Sequence, residues 1–308
     1  MTKKPLYTVV NIDAFSWLPL RDAQSVEAVV TDPPYGLVEY SDDQLAKRKN
    51  GKGIWRLPQA YDGYERTSMP RFTVLKEGDR TRIQTFHEKL APMLYRVLVP
   101  GGHAFVASHN LFTHLLINAF SACGFELRGQ VARIVKTLRG GDRPKGAHMQ
   151  YPDVCVSPRS CWEPWLIFRK PCEGRVRDNL QRWSTGALKR PHRDVPFPDL
   201  ILSNTVRGFE REVANHPSVK PQAFMRQIVA ATLPLGRGVV LDPFMGSGAT
   251  IAAATALGIR SIGLEVNREY FTLAAKAIPQ LTAISVPDLY ANYISKPLRF
   301  RRIEAIDA

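Results

Sequence analysis

Two apolar, β-branched runs, Ala28-Val29-Val30-Thr31 and Gly238-Val239-Val240-Leu241, each lead directly into an aspartate followed by proline. Short apolar runs bounded by turn residues read as buried strands of a parallel sheet. Parallel strands need crossover connections, so the chain is constrained to an α/β fold. The same constraint says where chemistry can sit, because open α/β sheets build ligand sites beyond the carboxyl ends of their strands. The loops to inspect are therefore Thr31-Asp32-Pro33-Pro34-Tyr35-Gly36 and Asp242-Pro243-Phe244-Met245-Gly246-Ser247-Gly248.

The rest of the chain alternates strand and helix signals. Residues 6–12 read as a strand ending at Asp13, and residues 25–31 as the strand that feeds the first loop. Apolar positions at Ile83, Phe86, Leu90, Leu94 and Val97 predict a helix over 81–98. Pro100-Gly101-Gly102 should stop it, with a strand from His103 to Ser108. A helix over 111–122, strands over 125–135 and 165–168, and a helix over 217–233 follow. Beyond the glycine loop come a helix from Ala249 to Leu257, a strand from Arg260 that reaches Glu265, and a helix from Tyr270 to Ile278. Residues 38–80 lack clear periodicity, which predicts a long loop or lid. The expected layout is a catalytic domain over 1–170 plus 214–282, a basic target-recognition segment over 171–213 and a basic extension over 283–308.

Charge narrows the partner. The 308 residues carry a net charge of +14, which favours a polyanion, with nucleic acid the first candidate and an anionic membrane surface or mere solubility the plainer alternatives. Cys123, Cys155, Cys161 and Cys172 form no C-x-x-C pair, so reduced thiols are expected and no metal site is. No run approaches the roughly 18 apolar residues of a membrane span, and no signal peptide is visible. The expected setting is cytoplasmic, without a membrane.

The glycine loop brings backbone close to a ligand just before a helix. No Gly-Lys-Ser/Thr follows, so it is not a triphosphate P-loop. Glu265, closing the next strand, stands where an acid accepts hydrogen bonds from ribose hydroxyls. Together they suggest a nucleoside-bearing cofactor; the plainer reading is a tight strand-to-helix turn. In the other loop, Asp32 and a proline-fixed Pro33 carbonyl give two acceptors for the two hydrogens of an exocyclic amine. Holding both hydrogens out of the ring plane localises the nitrogen lone pair and makes it nucleophilic. Tyr35 offers a face on which an extruded base can stack. A proline-capped turn is the plainer account here.

In order, Asp32-Pro33-Pro34-Tyr35, His216-Pro217-Ser218-Val219-Lys220-Pro221, Asp242 to Gly248 and Gly263-Leu264-Glu265-Val266-Asn267 resemble the motifs of amino-directed DNA methyltransferases of the β class. In that class the catalytic motif precedes the cofactor motif. The resemblance covers roughly residues 8–37, 81–170 and 215–278. It implies a Rossmann-like class I methyltransferase fold with circularly permuted motif order: a mostly parallel seven-stranded sheet with helices on both faces. It also implies S-adenosylmethionine as cofactor, and double-stranded DNA methylated at adenine N6 or cytosine N4. Asp32, Pro33, Pro34 and Tyr35 would meet the target base. Asp242, Phe244, Gly246, Ser247 and Gly248 would form the cofactor loop, with Glu265 at the ribose, Asp13 near the adenine and Asn267 also among the cofactor-binding residues. His216, Pro217 and Lys220 would lie along the methionine portion. Dimers are common in such families, so a homodimer is compatible with the resemblance.

Cytosine C5 chemistry needs a cysteine nucleophile on a cofactor-facing loop, and the Pro171-Cys172 pair is not so placed. Asp at the first motif position resembles the adenine branch more than the N4-cytosine branch, although the same acceptors serve either amine. An RNA amine methyltransferase, a glutamine-amide methyltransferase and a non-catalytic nucleic-acid-binding module are the remaining alternatives. The arginines of 171–213, and Lys136, Arg139, Arg143 and Lys145 in a glycine-containing loop, would mostly contact phosphates, setting register but not sequence.

Overall fold

The computed structural model describes residues 5–34, 42–52, 77–135, 143–144, 146–203, 206, 208–214, 216 and 219–286. Tyr35, Pro217, Lys136, Arg139, Lys145, most of the expected 38–80 lid and nearly all of the basic extension lie outside them.

The chain runs β1 (Tyr7–Asn11), α1 (Ala14–Trp17), β2 (Val26–Thr31), α2 (Asp42–Lys49), α3 (Glu77–Val97), β3 (Leu98–Ala107), α4 (Thr113–Ala122), β4 (Glu126–Ile134) and β5 (Trp162–Arg169). It continues through α5 (Val176–Trp183), β6 (Leu200–Leu202), α6 (Phe209–Val213), α7 (Gln222–Thr232), β7 (Val239–Asp242), α8 (Ala249–Ala256), β8 (Arg260–Glu265) and α9 (Arg268–Thr282). Among the described residues eight strands share one sheet, in the order β1-β8-β7-β2-β3-β5-β4-β6. Every pairing is parallel except those of β5, which runs antiparallel between β3 and β4. Set against the seven expected strands, the extra one is β6, three residues long at the edge beside β4.

Strand alternation in the central strands feeds a core on each face of the sheet. Val29, Ala104, Val106 and Leu241 point toward α1, α3 and α4, where Leu90, Leu94 and Phe120 are fully buried. Ala28, Val30, Phe105 and Val240 point the other way, toward Phe224 and Ile228 of α7 and the small residues of α8. Successive residues face opposite sides, so a run apolar throughout is what a strand covered on both faces requires.

One boundary differs from the sequence expectation. Pro100-Gly101-Gly102 lies inside β3, not between a helix and a strand; α3 ends at Val97 and β3 begins at Leu98. The register against β2 slips between Val26↔Leu98 and Ala28↔His103, so the Pro-Gly-Gly segment is a bulge. Gly101 adopts φ +74°, and a Cβ there would lie 2.3 Å from Asn179 Nδ2. Asn179, at the buried face of α5, donates to the Pro100 carbonyl at 3.0 Å. The bulge thus exists to receive α5, a helix whose arginine-rich sequence hid its periodicity.

Candidate active site

β2 and β7 are neighbours, with Ala28 opposite Val240 and Val29 opposite Leu241. Their exits, one carrying Asp32 and the other Asp242, therefore leave the same edge of the sheet. Thr31 Oγ1 donates to Asp242 Oδ1 at 2.8 Å, and both groups are buried. Asp32, Lys220, His216, Asp242, Phe244 and Gly246 line one cleft. Residues from distant parts of the chain meet because the sheet order makes their strands adjacent.

The glycine turn is built by its own backbone. Asp242 Oδ1 also accepts the Phe244 N–H at 3.1 Å, and Met245 N–H reaches the Leu264 carbonyl at 2.9 Å. Gly246 N–H donates to Glu265 Oε2 at 3.0 Å, while Glu265 Oε1 accepts the Asn267 N–H at 2.8 Å. Gly246 and Gly248 have φ of +51° and +83°. A Cβ at Gly246 would come within 3.1 Å of the His216 ring, and one at Gly248 within 2.5 Å of Ile278. Both positions combine a left-handed backbone with no room for a side chain, the condition under which glycine is required. Ser247 is buried between them, and Gly248 stands at the N-cap of α8.

Phe244 meets Phe86 at 5.8 Å and Phe15 at 6.4 Å between ring centroids, an apolar wall beside the turn. Asp13 is the N-cap of α1, its carboxylate accepting the Phe15 N–H at 3.3 Å. Because Asn11 is in register with Glu265, Asp13 leaves the sheet at the same edge as Glu265. Asn267 caps α9, accepting the Glu269 and Tyr270 N–H groups at 2.8 and 3.1 Å. The His216 ring meets Tyr270 edge-on at 4.3 Å. A nucleoside-bearing cofactor fits this region: a side-chain-free turn, a helix start, an aromatic wall and a buried carboxylate with lone pairs to spare.

The acidic loop has a partner set that the sequence reading did not contain. Lys220 Nζ lies 2.8 Å from Asp32 Oδ2 and 3.3 Å from Glu163 Oε1. Glu163 also accepts from Trp165 Nε1 at 2.8 Å and from Arg133 Nη1 at 3.0 Å. Arg133 in turn donates from Nε to Ser203 Oγ at 3.1 Å and sits over the Phe224 ring. Arg133 and Glu163 are directly opposed in the β4/β5 register, which accounts for their pairing. Lys220, expected along the methionine portion, is here the counter-ion of Asp32. Pro33 is buried beside Asp32, and Pro34 is half-buried.

Burial dominates the site's electrostatics. It pushes the Asp32 carboxyl above its ordinary value, against the opposing pull of Lys220. Asp242, sealed beneath the turn, is pushed up to about 7 by burial, partly offset by hydrogen bonds from Thr250, Thr31 and the Phe244 N–H. Glu265 is also raised by burial, against backbone donors from Asn267 and Gly246.

Comparison with known proteins decides the family. The DNA methylase family of N6/N4 methyltransferases matches residues 26–276, most of the chain. The chain belongs to that family. This methylase is 25% identical over 302 residues to the type II methyltransferase M.HindIII of Haemophilus influenzae, covering 88% of this chain and 94% of the relative. The M1.HpyAVI–SAM complex shares its fold, with TM-score 0.54 and 19% identity over 88% of this chain and 98% of that one. So does the PvuII cytosine-N4-specific DNA methyltransferase, with TM-score 0.54 and 15% identity over 92% and 90% of the two chains. The methylase is an S-adenosylmethionine-dependent DNA methyltransferase with the mostly parallel, two-sided α/β architecture expected of the family.

Proposed function

We propose that this methylase transfers a methyl group to N6 of an adenine turned out of duplex DNA, at a defined sequence. The observation that carries the proposal is the Asp32 carboxylate, largely buried at the same cleft as the Gly246 turn with 17% of its side chain exposed, and tied to it by the Thr31–Asp242 hydrogen bond. Bound in the glycine cradle between Phe244, Glu265 and His216, S-adenosylmethionine supplies an electrophilic methyl. The chain's own residues do the rest. Asp32 accepts one amine hydrogen and the Pro33 carbonyl the other, localising the nitrogen lone pair toward the cleft. Asp32, whose burial raises its proton affinity, is suited to take up the proton the amine sheds. Low local dielectric in the buried pocket strengthens each of these interactions.

Aspartate at the head of the catalytic motif favours adenine over cytosine N4. The net charge of +14 suits a DNA partner. Methylation-aware sequencing of DNA from a host expressing the protein should report N6-methyladenine at a single motif, and Asp32→Ala should erase it. Calorimetry should find S-adenosylmethionine affinity of the variant within about threefold of the parent, since Asp32 is assigned to the base. N4-methylcytosine would transfer the assignment to the other amine. Unmodified DNA from both hosts would overturn it.

A further inference from the structure

Lys220 occupies one of the two Asp32 carboxylate oxygens and so competes with an incoming amine for it. Lys220 Nζ is 2.8 Å from Asp32 Oδ2, and a second carboxylate oxygen, Glu163 Oε1, lies at 3.3 Å. Only 10% of the Lys220 side chain is exposed, so the two carboxylates rather than water are the partners within its reach. Glu163 is itself fixed on both oxygens, by Trp165 Nε1 at 2.8 Å and Arg133 Nη1 at 3.0 Å, and Trp165 is fully buried. The arrangement is a rigid acceptor, a short-range mobile cation and a catalytic carboxylate.

We propose that Glu163 is a positioning residue that draws the Lys220 ammonium off Asp32 when the target amine arrives. Lys220 then has two seats. On Asp32 it compensates a buried carboxylate in the base-free enzyme, where an uncompensated one would take up a proton. On Glu163 it leaves Asp32 free to accept the amine hydrogen. The inference rests on the role proposed for Asp32, but the coupling of the three groups is measurable without any methyl transfer.

Asp32 is faced by Lys220 from the loop before α7, Glu163 from β5, Arg133 from β4 and Asp242 from β7. Glu163 raises the proton affinity of Asp32 and Lys220 lowers it. Titration of the Asp32 carboxyl carbon by NMR, in free protein labelled at aspartate and assigned with Asp32→Asn, reads these terms directly. Glu163→Gln keeps the shape and the Trp165 acceptor while deleting the charge, so the Asp32 midpoint should move to lower pH. Lys220→Met should move it to higher pH. In methyl-transfer assays Glu163→Gln should lower the plateau kcat by about tenfold or more, with KM for DNA changed less than about threefold and the acid limb displaced to lower pH. Glu163→Asp should recover part of the rate. Asp32 midpoints that stay put in both variants would overturn the coupling, whatever the enzyme methylates. An unchanged kcat in Glu163→Gln would overturn the release of Asp32, as would a rate loss with an undisplaced acid limb, the signature of a merely structural residue.

Discussion

Asp242 is fully enclosed, and its carboxyl ionises near pH 7 in the fold against an ordinary value of 3.8. The folded state thus binds this proton more tightly than the unfolded chain does. The stability that protonation confers is complete below about pH 4 and is lost as pH rises through 7. Asn can keep the acceptor for Thr31 and Phe244, and the Thr250 hydroxyl can turn to accept from its amide. Asp242→Asn should match the parent in urea unfolding at pH 4 and exceed it at pH 8 by roughly a few kcal/mol. Equal midpoints at pH 8 would count against the enclosed ionised carboxylate. At this scale the sequence was most informative where chemistry is local. Asp32-Pro33-Pro34, Gly246, Gly248 and Glu265 announce themselves because turn geometry and acceptor placement are written in neighbouring residues. Glu163 and Arg133 were illegible because their pairing depends on strand register across 30 positions of chain. The one local hint was a carboxylate near the start of the strand Trp162–Arg169, whose interior from Pro164 to Phe168 is apolar.

Strands and long helices were readable from their periodicity, whereas short or heavily charged elements were not. β6 has three residues, too few for a pattern, and α5 carries Arg177 and Arg182 on its exposed side, masking the contact that Asn179 makes. That contact sets an element-scale expectation. In Gly101→Ala the new methyl would meet Asn179 Nδ2 and lie 2.8 Å from Gly186 Cα, on a backbone at φ +74°. The substitution should cost roughly 2–4 kcal/mol in urea unfolding by displacing α5 from β3. Gly101 lies near the start of β3 and Asp32 beyond the end of β2, which runs parallel to it, so the two are at opposite ends of the sheet. Methyl transfer per folded molecule should therefore stay near the parent level in single-turnover assays; a large loss would mean that α5 reaches the cleft.

Over the whole molecule, the basic 171–213 segment spans both ends of the sheet. The first half of the basic 171–213 segment, from α5 to Lys189, is anchored at the end away from Asp32, where Lys189 N–H donates to the Ala231 carbonyl near the end of α7. The second half returns through β6 to the catalytic end, where Ser203 receives Arg133. The large sheet also encloses two histidines, His87 held neutral down to about 4 and His103 to about 3, chiefly by burial. Unfolded histidine takes its proton near 6.5, so the stability these two confer is complete above 6.5 and is lost as pH falls through those values. His103→Leu should flatten the fall in urea midpoint between pH 6.5 and 4 relative to the parent, by a few kcal/mol at pH 4; an unaltered slope would place the acid sensitivity elsewhere. The hydrogen bond from Thr31 to Asp242 carries one more consequence. Asp32 lies before β6 and the Gly246 turn after α7, so a chain cut between β6 and α7 leaves the two loops of the cleft on different fragments, and neither holds the whole site. Methylated DNA would then be a permanent mark that the two fragments had met, which makes this seam the natural place to split the chain into a recorder of association.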